Sequence, residues 1–320
     1  MAIKKEHVWP VRPHTQSGGQ AMAEQSVSDI RLGTHVASDA SDEELLYLSQ
    51  LGIRHVRTHF SAEQTTRAEF ARVRERFACA GLEIYCAVHP FYRAMEIALG
   101  LPGREEKIER FGRVIGELGA AGIHTIDYDF FLYAPLPETG TTLTRGAKTR
   151  VFDLATALQG PSAFGREYHD EEIWANYTTF IQAIAPVAEE AGVRLALHPD
   201  DPPVPSLHGV ARILRDMTGM ERAVALADSP NAGVLMCVGT WAEGGEDMGM
   251  DVCDAIRTFA ARGQLFTVHF RNIDAPLPRF FGNVSGQRLC RHVPRHEDTV
   301  RGRLRRLGHS RSFPRPRGGR

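Results

Sequence analysis

VRLALHPD (193–200), AGVLMCVGT (232–240) and LFTVHFRNI (265–273) are three apolar runs of strand length, each ending in polar residues with chemical capacity. A strand wetted on one face alternates apolar and polar residues. These runs are almost continuously apolar, as in strands covered on both faces. Working outward, the same kind of run recurs at 30–36 (IRLGTHV), 53–60 (IRHVRTHF), 83–90 (EIYCAVHP) and 123–130 (IHTIDYDF). Amphipathic stretches lie between them. Ser41 precedes Asp42, Glu43 and Glu44, an N-cap followed by acids where the helix dipole favours them. Ser61 and Gln64 have capping-box spacing ahead of a helix that ends near Gly81. Residues 103–122 and 170–192 read as longer helices, each closed by a glycine.

Strand–helix alternation with buried strands means a parallel sheet covered by helices, and the expected class is an α/β, (β/α)8 barrel of the TIM-barrel type. Seven strands are visible, and a barrel of this type needs eight. The eighth belongs after residue 281, where the composition breaks, so one strand is expected to be missing. Residues 1–28, with Pro10, Pro13, Gly18 and Gly19 and no periodicity, read as a loose leader. The barrel is expected over 29–281 and a basic, disordered tail over 282–320. Residues 131–169 are long for a strand-to-helix connection and follow the fourth strand at the active-site face. They are read as a lid.

With 320 residues, 42% of them hydrophobic, the chain can bury a sizeable single core. It has no apolar run long enough to span a membrane and no apolar segment of a secretory signal near its start. Five cysteines, at 79, 86, 237, 253 and 290, form no CxxC pair. That points to reduced thiols and a cytoplasmic location. The net charge of −1 hides a split, because residues 283–320 carry 11 Arg against Glu297 and Asp298 alone.

In a parallel barrel the C-terminal ends of the strands converge on one mouth. The residues placed there are His35, His59, His89, Tyr128, Asp129, His198, Asp200, Asp201, Cys237, His269, Arg271 and Asn272. Taken singly, each has a structural explanation: a buried Cys packs, a strand-end His bonds to backbone, and Asp200 and Asp201 cap the next segment. His198, Cys237 and His269 differ because they end three successive strands. Two imidazoles and a thiolate suit Fe(II), Mn(II), Co(II) or Zn(II), and spacing does not choose among them.

The run LALHPDDPPVP (195–205), followed by GVARIL, resembles the signature of the mannonate dehydratase family. SPNAGVLMCVGT (229–240) and VHFRNI (268–273) occur in matching order, and the stretch TRGAKTRVFD (144–153) is similar to that family's lid. The resemblance covers about residues 80–281. It implies a lyase that converts D-mannonate to 2-keto-3-deoxy-D-gluconate with Mn2+ or Fe2+. It also implies a small-molecule sugar acid as the partner and a homo-oligomer; no membrane partner is expected for want of a spanning apolar run, and no nucleic-acid partner because the tail lacks an aromatic platform. His198, Cys237 and His269 would then be metal ligands, and Asp200, Arg271 and Tyr128 catalytic. Asp201, Asn272 and Asp129 would bind the polyol, and Arg271 would meet the carboxylate. At the fourth strand the family usually shows Cys-Tyr-Asn-Phe, whereas this chain has Asp127-Tyr128-Asp129-Phe130.

The family closes its barrel with a strand ending in Ile-Pro-Asp-His, which supplies a metal-binding Asp. This chain has no such string. With one surplus G removed after Phe281, codons compatible with the Arg-rich tail permit a helix, an apolar strand and Ile-Pro-Asp-His in that order. The tail is therefore expected to be out-of-frame sequence and the chain as written to be impaired. Two other readings compete: a xylose-isomerase-like isomerase or epimerase, and a nucleic-acid binder using the tail.

Overall fold

The computed structural model describes residues 31–132, 137–159, 162, 164–284 and 307–309. In chain order the strands are β1 (Arg31–Ala37), β2 (His55–His59), β3 (Glu83–Val88), β4 (Thr125–Tyr128), β5 (Gly140–Thr144), β6 (Ala147–Asp153) and β7 (Arg194–Leu197). They continue with β8 (Ser206–Leu207), β9 (Val210–Ala211), β10 (Ala232–Cys237), β11 (Leu265–His269), β12 (Asn272–Ile273), β13 (Arg279–Asn283) and β14 (Leu307–His309). The helices are α1 (Asp42–Gln50), α2 (Arg67–Cys79), α3 (Met95–Leu99), α4 (Arg104–Ala120), α5 (Leu154–Ala157), α6 (Asp170–Glu190), α7 (Met217–Ala227), α8 (Val238–Gly244) and α9 (Val252–Ala261).

Seven predicted strands form one parallel ring in the order β1-β2-β3-β4-β7-β10-β11, and β14 closes it between β11 and β1. The regular eighth strand ending in Ile-Pro-Asp-His is absent from the sequence, and a short piece of the Arg-rich segment stands in its place. Leu307–His309 pairs in parallel with Arg31–Gly33 and with Val268 and His269. The closing strand is only three residues long, and it comes from the segment expected to be a disordered tail. The rest of that segment, from residue 285, lies outside the described residues, as does the predicted leader.

The two-residue period of a strand sorts its side chains between the inside of the ring and the helix layer. Leu195 and Leu197, Val234 and Met236, and Leu265 and Val268 share one buried core with Phe111, Phe180, Ile184, Ala223 and Phe259 of the helices. Burial of such side chains is worth about 1.5–3 kcal/mol each and fixes which face points outward. The alternate residues then face inward, so Ala196, Leu235, Cys237 and Phe266 form a separate small cluster. Around β1 and α1 the packing is looser: Leu32, Leu46, Tyr47 and Leu51 are exposed.

Helix starts follow local chemistry. Ser41 caps α1, accepting a hydrogen bond from the Glu44 amide at 3.2 Å. The capping box of α2 is Thr66 with Glu69, not Ser61 with Gln64. Gln64 instead bends back to accept from the Ser61 amide at 2.9 Å and from the Ser38 hydroxyl at 2.6 Å, which ties the turn before the helix. The stretch expected to be a lid contains the β5–β6 hairpin. Its second strand pairs antiparallel with β13, giving a four-stranded sheet of order β12-β13-β6-β5. Phe152, Val204, Leu207, Ile273 and Phe280 pack there as a small core.

Candidate metal centre and active site

Three inward positions carry the donor set. His198 follows Ala196 by two residues, Cys237 follows Leu235 by two, and His269 follows Thr267 by two, so strand alternation aims all three into the ring. Cys237 and His269 are register partners in the β10–β11 pairing. One ligand atom from each of His198, Cys237 and His269 lies within 4.8 Å of the others, and all three residues are buried. The imidazole rings of His198 and His269 are 5.3 Å apart, centroid to centroid. The Pro199 carbonyl lies 2.6 Å from Nδ1 of His198. A carbonyl only accepts, so Nδ1 carries the proton and Nε2 is left as the basic nitrogen, as a metal-binding imidazole requires. Two imidazoles and a thiol within this distance fit a divalent ion of borderline softness.

Charged groups at the strand ends and on α8 stand in opposed pairs, with Arg271 and Glu243 close enough to Cys237 to interact electrostatically. Arg271 Nη1 lies 3.4 Å from Asp201 Oδ2, while its Nη2 donates to Glu243 Oε1 of α8 and to Thr240 Oγ1 at 3.3 Å. Glu243 is wholly buried, and that burial holds its carboxyl well above the usual range, with Arg271 opposing the shift. Asp200, also wholly buried, accepts from the Leu214 amide at 2.7 Å. Burial pushes its carboxyl up to about 6, against the pull of Arg212. Asp129 accepts from the Tyr92 hydroxyl at 3.0 Å and lies 3.6 Å from Arg93. Deeper in the barrel, Arg57 binds both carboxylate oxygens of Asp127 and contacts His59 Nε2 at 2.5 Å.

The structure brings most, not all, of the predicted residues together. Asn272 is buried in β12 and donates to the Val284 carbonyl at 3.0 Å, tying the four-stranded sheet. Tyr128 departs from its predicted place. It follows inward-facing Asp127 by one residue and therefore faces the helix layer, where its hydroxyl lies 3.1 Å from that of Tyr177 on α6. Burial raises the Tyr128 hydroxyl far above its usual value. His89 is also withdrawn, its Nε2 donating to the Gln64 carbonyl at 3.0 Å. Sequence reading missed Glu243, Tyr92, Arg93 and Arg212. None ends a barrel strand, although Glu243 lies on α8, the helix that starts directly after Cys237.

Residues 158–285 match the sequence profile of D-mannonate dehydratase (UxuA). The chain is similar to a mannonate dehydratase of Streptococcus pneumoniae strain 70585, 34% identical over 61% of this chain and 59% of the relative. It is also similar to mannonate dehydratase 2 of Halalkalibacterium halodurans, 31% identical over 58% of this chain and 60% of the relative. The chain thus spans about three-fifths of the length of these relatives. In three dimensions it resembles a mannonate dehydratase from Streptococcus suis serotype 2, with a TM-score of 0.77 at 23% identity, covering 88% of this chain and 85% of the other. It shares the fold more distantly with a D-psicose 3-epimerase from Clostridium cellulolyticum H10, with a TM-score of 0.61 at 13% identity, covering 89% and 86%.

Proposed function

We propose, from the premise that this chain belongs to the mannonate dehydratase family, that it is built to dehydrate D-mannonate, or a closely related aldonate, to the 2-keto-3-deoxy acid. The observation that carries this reading is the joint placement of His198, Cys237 and His269 beside the Arg271–Asp201 pair. Removing a proton alpha to a carboxylate is difficult because that carbon acid is weak. His198, Cys237 and His269 would hold a Mn2+ or Fe2+ ion, which would supply Lewis acidity to make that carbon acid stronger.

The chain's own groups do the rest. Arg271 presents Nη1 to Asp201, and a substrate carboxylate exchanges with Asp201 for that edge, the 3.4 Å contact being the looser of its two ion pairs. Asp201, released, accepts from substrate hydroxyls. Asp200 is the carboxyl nearest the triad in sequence, and burial raises it to about 6, so that it exchanges a proton in the range just below neutral pH. Loss of the C2 proton to a base, with protonation of the departing 3-hydroxyl, yields water and an enol that tautomerises to the keto acid. Tyr128 takes no part, because its hydroxyl is turned to Tyr177.

The triad provides three protein ligands, and the string Ile-Pro-Asp-His is absent from the sequence. The chain as printed is therefore proposed to hold its ion more weakly than a four-ligand site and to turn over slowly. The test is to load the purified chain with Mn2+ and assay keto-deoxy acid from D-mannonate, beside a version with the tail restored to the neighbouring frame. Slow turnover by the first and faster turnover by the second are expected. Ketose formation from aldoses, with no keto acid from either protein, would overturn the reading in favour of an isomerase.

A further inference from the structure

Three residues of one short helix converge on a single arginine. Glu243 accepts from Nη2 of Arg271, Thr240 Oγ1 accepts from the same nitrogen at 3.3 Å, and Gly239 lies against the side chain's stem. A Cβ at Gly239 would come within 2.4 Å of Arg271 Nε and 2.8 Å of its Cβ, so the arginine lies flat on the helix only because that position has no side chain. Positions 239, 240 and 243 share one face of a helix. The helix starts directly after Cys237. The Leu277 amide donates to the Glu243 carbonyl at 2.8 Å, which fixes the far end of the helix to the segment between β12 and β13.

We propose that Glu243 is a positioning residue for Arg271, holding the guanidinium behind the mouth so that its Nη1 edge and Asp201 meet the substrate as a preset donor–acceptor pair. The two carboxylates are not equivalent. Asp201 keeps 18% of its side-chain surface and can exchange partners with a ligand, whereas Glu243 keeps none. A wholly buried carboxylate is costly to maintain without a matched cation, and its removal leaves the guanidinium unmatched in turn. Placing it behind Arg271 sacrifices stability for geometry, which a merely structural contact does not require. A fork anchored on one edge offers the other edge in a fixed plane and loses less freedom on binding.

The functional half of this proposal rests on the aldonate reading; the structural half does not. The experiment uses the full chain loaded with Mn2+, as Glu243→Ala, Glu243→Gln and Glu243→Asp. D-Mannonate affinity is measured by calorimetry, metal content by elemental analysis, and the Arg271 position by crystallography. Glu243→Gln keeps an acceptor oxygen at the same reach and is expected to bind within about threefold of the unsubstituted chain. Glu243→Ala is expected to weaken binding by about tenfold or more, the usual scale for supporting contacts, with bound metal unchanged and the guanidinium displaced. Glu243→Asp keeps the carboxyl group but falls one methylene short, and is expected to behave like the alanine variant. If the alanine variant does not fold, the Gln and Asp variants decide between them. An Arg271 left in place in Glu243→Ala or Glu243→Asp, with affinity unchanged, would overturn the proposal. If the unsubstituted chain binds no D-mannonate, the aldonate reading fails, and the position of Arg271 in the variants still decides whether Glu243 places it.

Discussion

Cys237 and His269 stand directly opposite each other in the parallel pairing of β10 with β11. A thiol and an imidazole on adjacent strands, both at the last residue of the strand, can reach one ion without any loop having to order. His198, at the end of the next strand around the ring, completes the set.

The first prediction concerns that set. Cys237→Ser and His198→Ala should each lower bound Mn2+, Co2+ or Zn2+ by tenfold or more in equilibrium dialysis. Substituted with Co2+, the unsubstituted chain should show a thiolate-to-metal charge-transfer band that Cys237→Ser loses. Full metal retention in both variants would remove the triad from consideration.

Arg57 and Asp127 supply the second. Both are 2% exposed, and the guanidinium bonds both carboxylate oxygens. Breaking a buried pair on one side strands the other charge, so Asp127→Asn should destabilise by about 3–5 kcal/mol. The double replacement Arg57→Met with Asp127→Leu removes both charges and should recover most of that. Denaturant titration of the three proteins measures it, and an equal loss in single and double variants would contradict it.

His89 gives a prediction in pH. Burial lowers its imidazole to about 4, below its ordinary value of 6.5. A depressed histidine stays neutral when folded while the unfolded chain takes up a proton. Its contribution is therefore complete above about pH 6.5 and is lost as pH falls toward about 4. The loss amounts to about 3.5 kcal/mol across that window, at about 1.4 kcal/mol per unit. His89→Gln, whose amide can still donate to the Gln64 carbonyl, should flatten that part of the stability profile. An unchanged slope between pH 4 and 6.5 would show that the imidazole titrates normally.

Tyr128 separates sequence reading from structure in one substitution. Tyr128→Phe removes a hydroxyl that lies 3.1 Å from the Tyr177 hydroxyl in the helix layer. It should cost about 1 kcal/mol of stability and leave keto acid formation within about twofold. A loss of activity of a hundredfold or more, with the fold intact, would return the tyrosine to the site.

The sequence by itself determined the ring, seven of its strands and the meeting of His198, Cys237 and His269. Those follow from short-range rules: continuous apolar runs mark covered strands, and donors ending successive parallel strands must share one mouth. Tertiary structure alone decided the parity of β4, which turns Asp127 and Asp129 inward and Tyr128 outward, because a one-residue offset reverses every side chain. It also decided that Leu307–His309 fills the eighth place, a pairing with β1 that no local pattern in an Arg-rich segment announces. The cradle of Gly239, Thr240 and Glu243 around Arg271 was equally out of reach of the sequence. The two segments are about thirty residues apart, and which carboxylate claims a guanidinium depends on burial, a property of the packed chain and not of either segment alone.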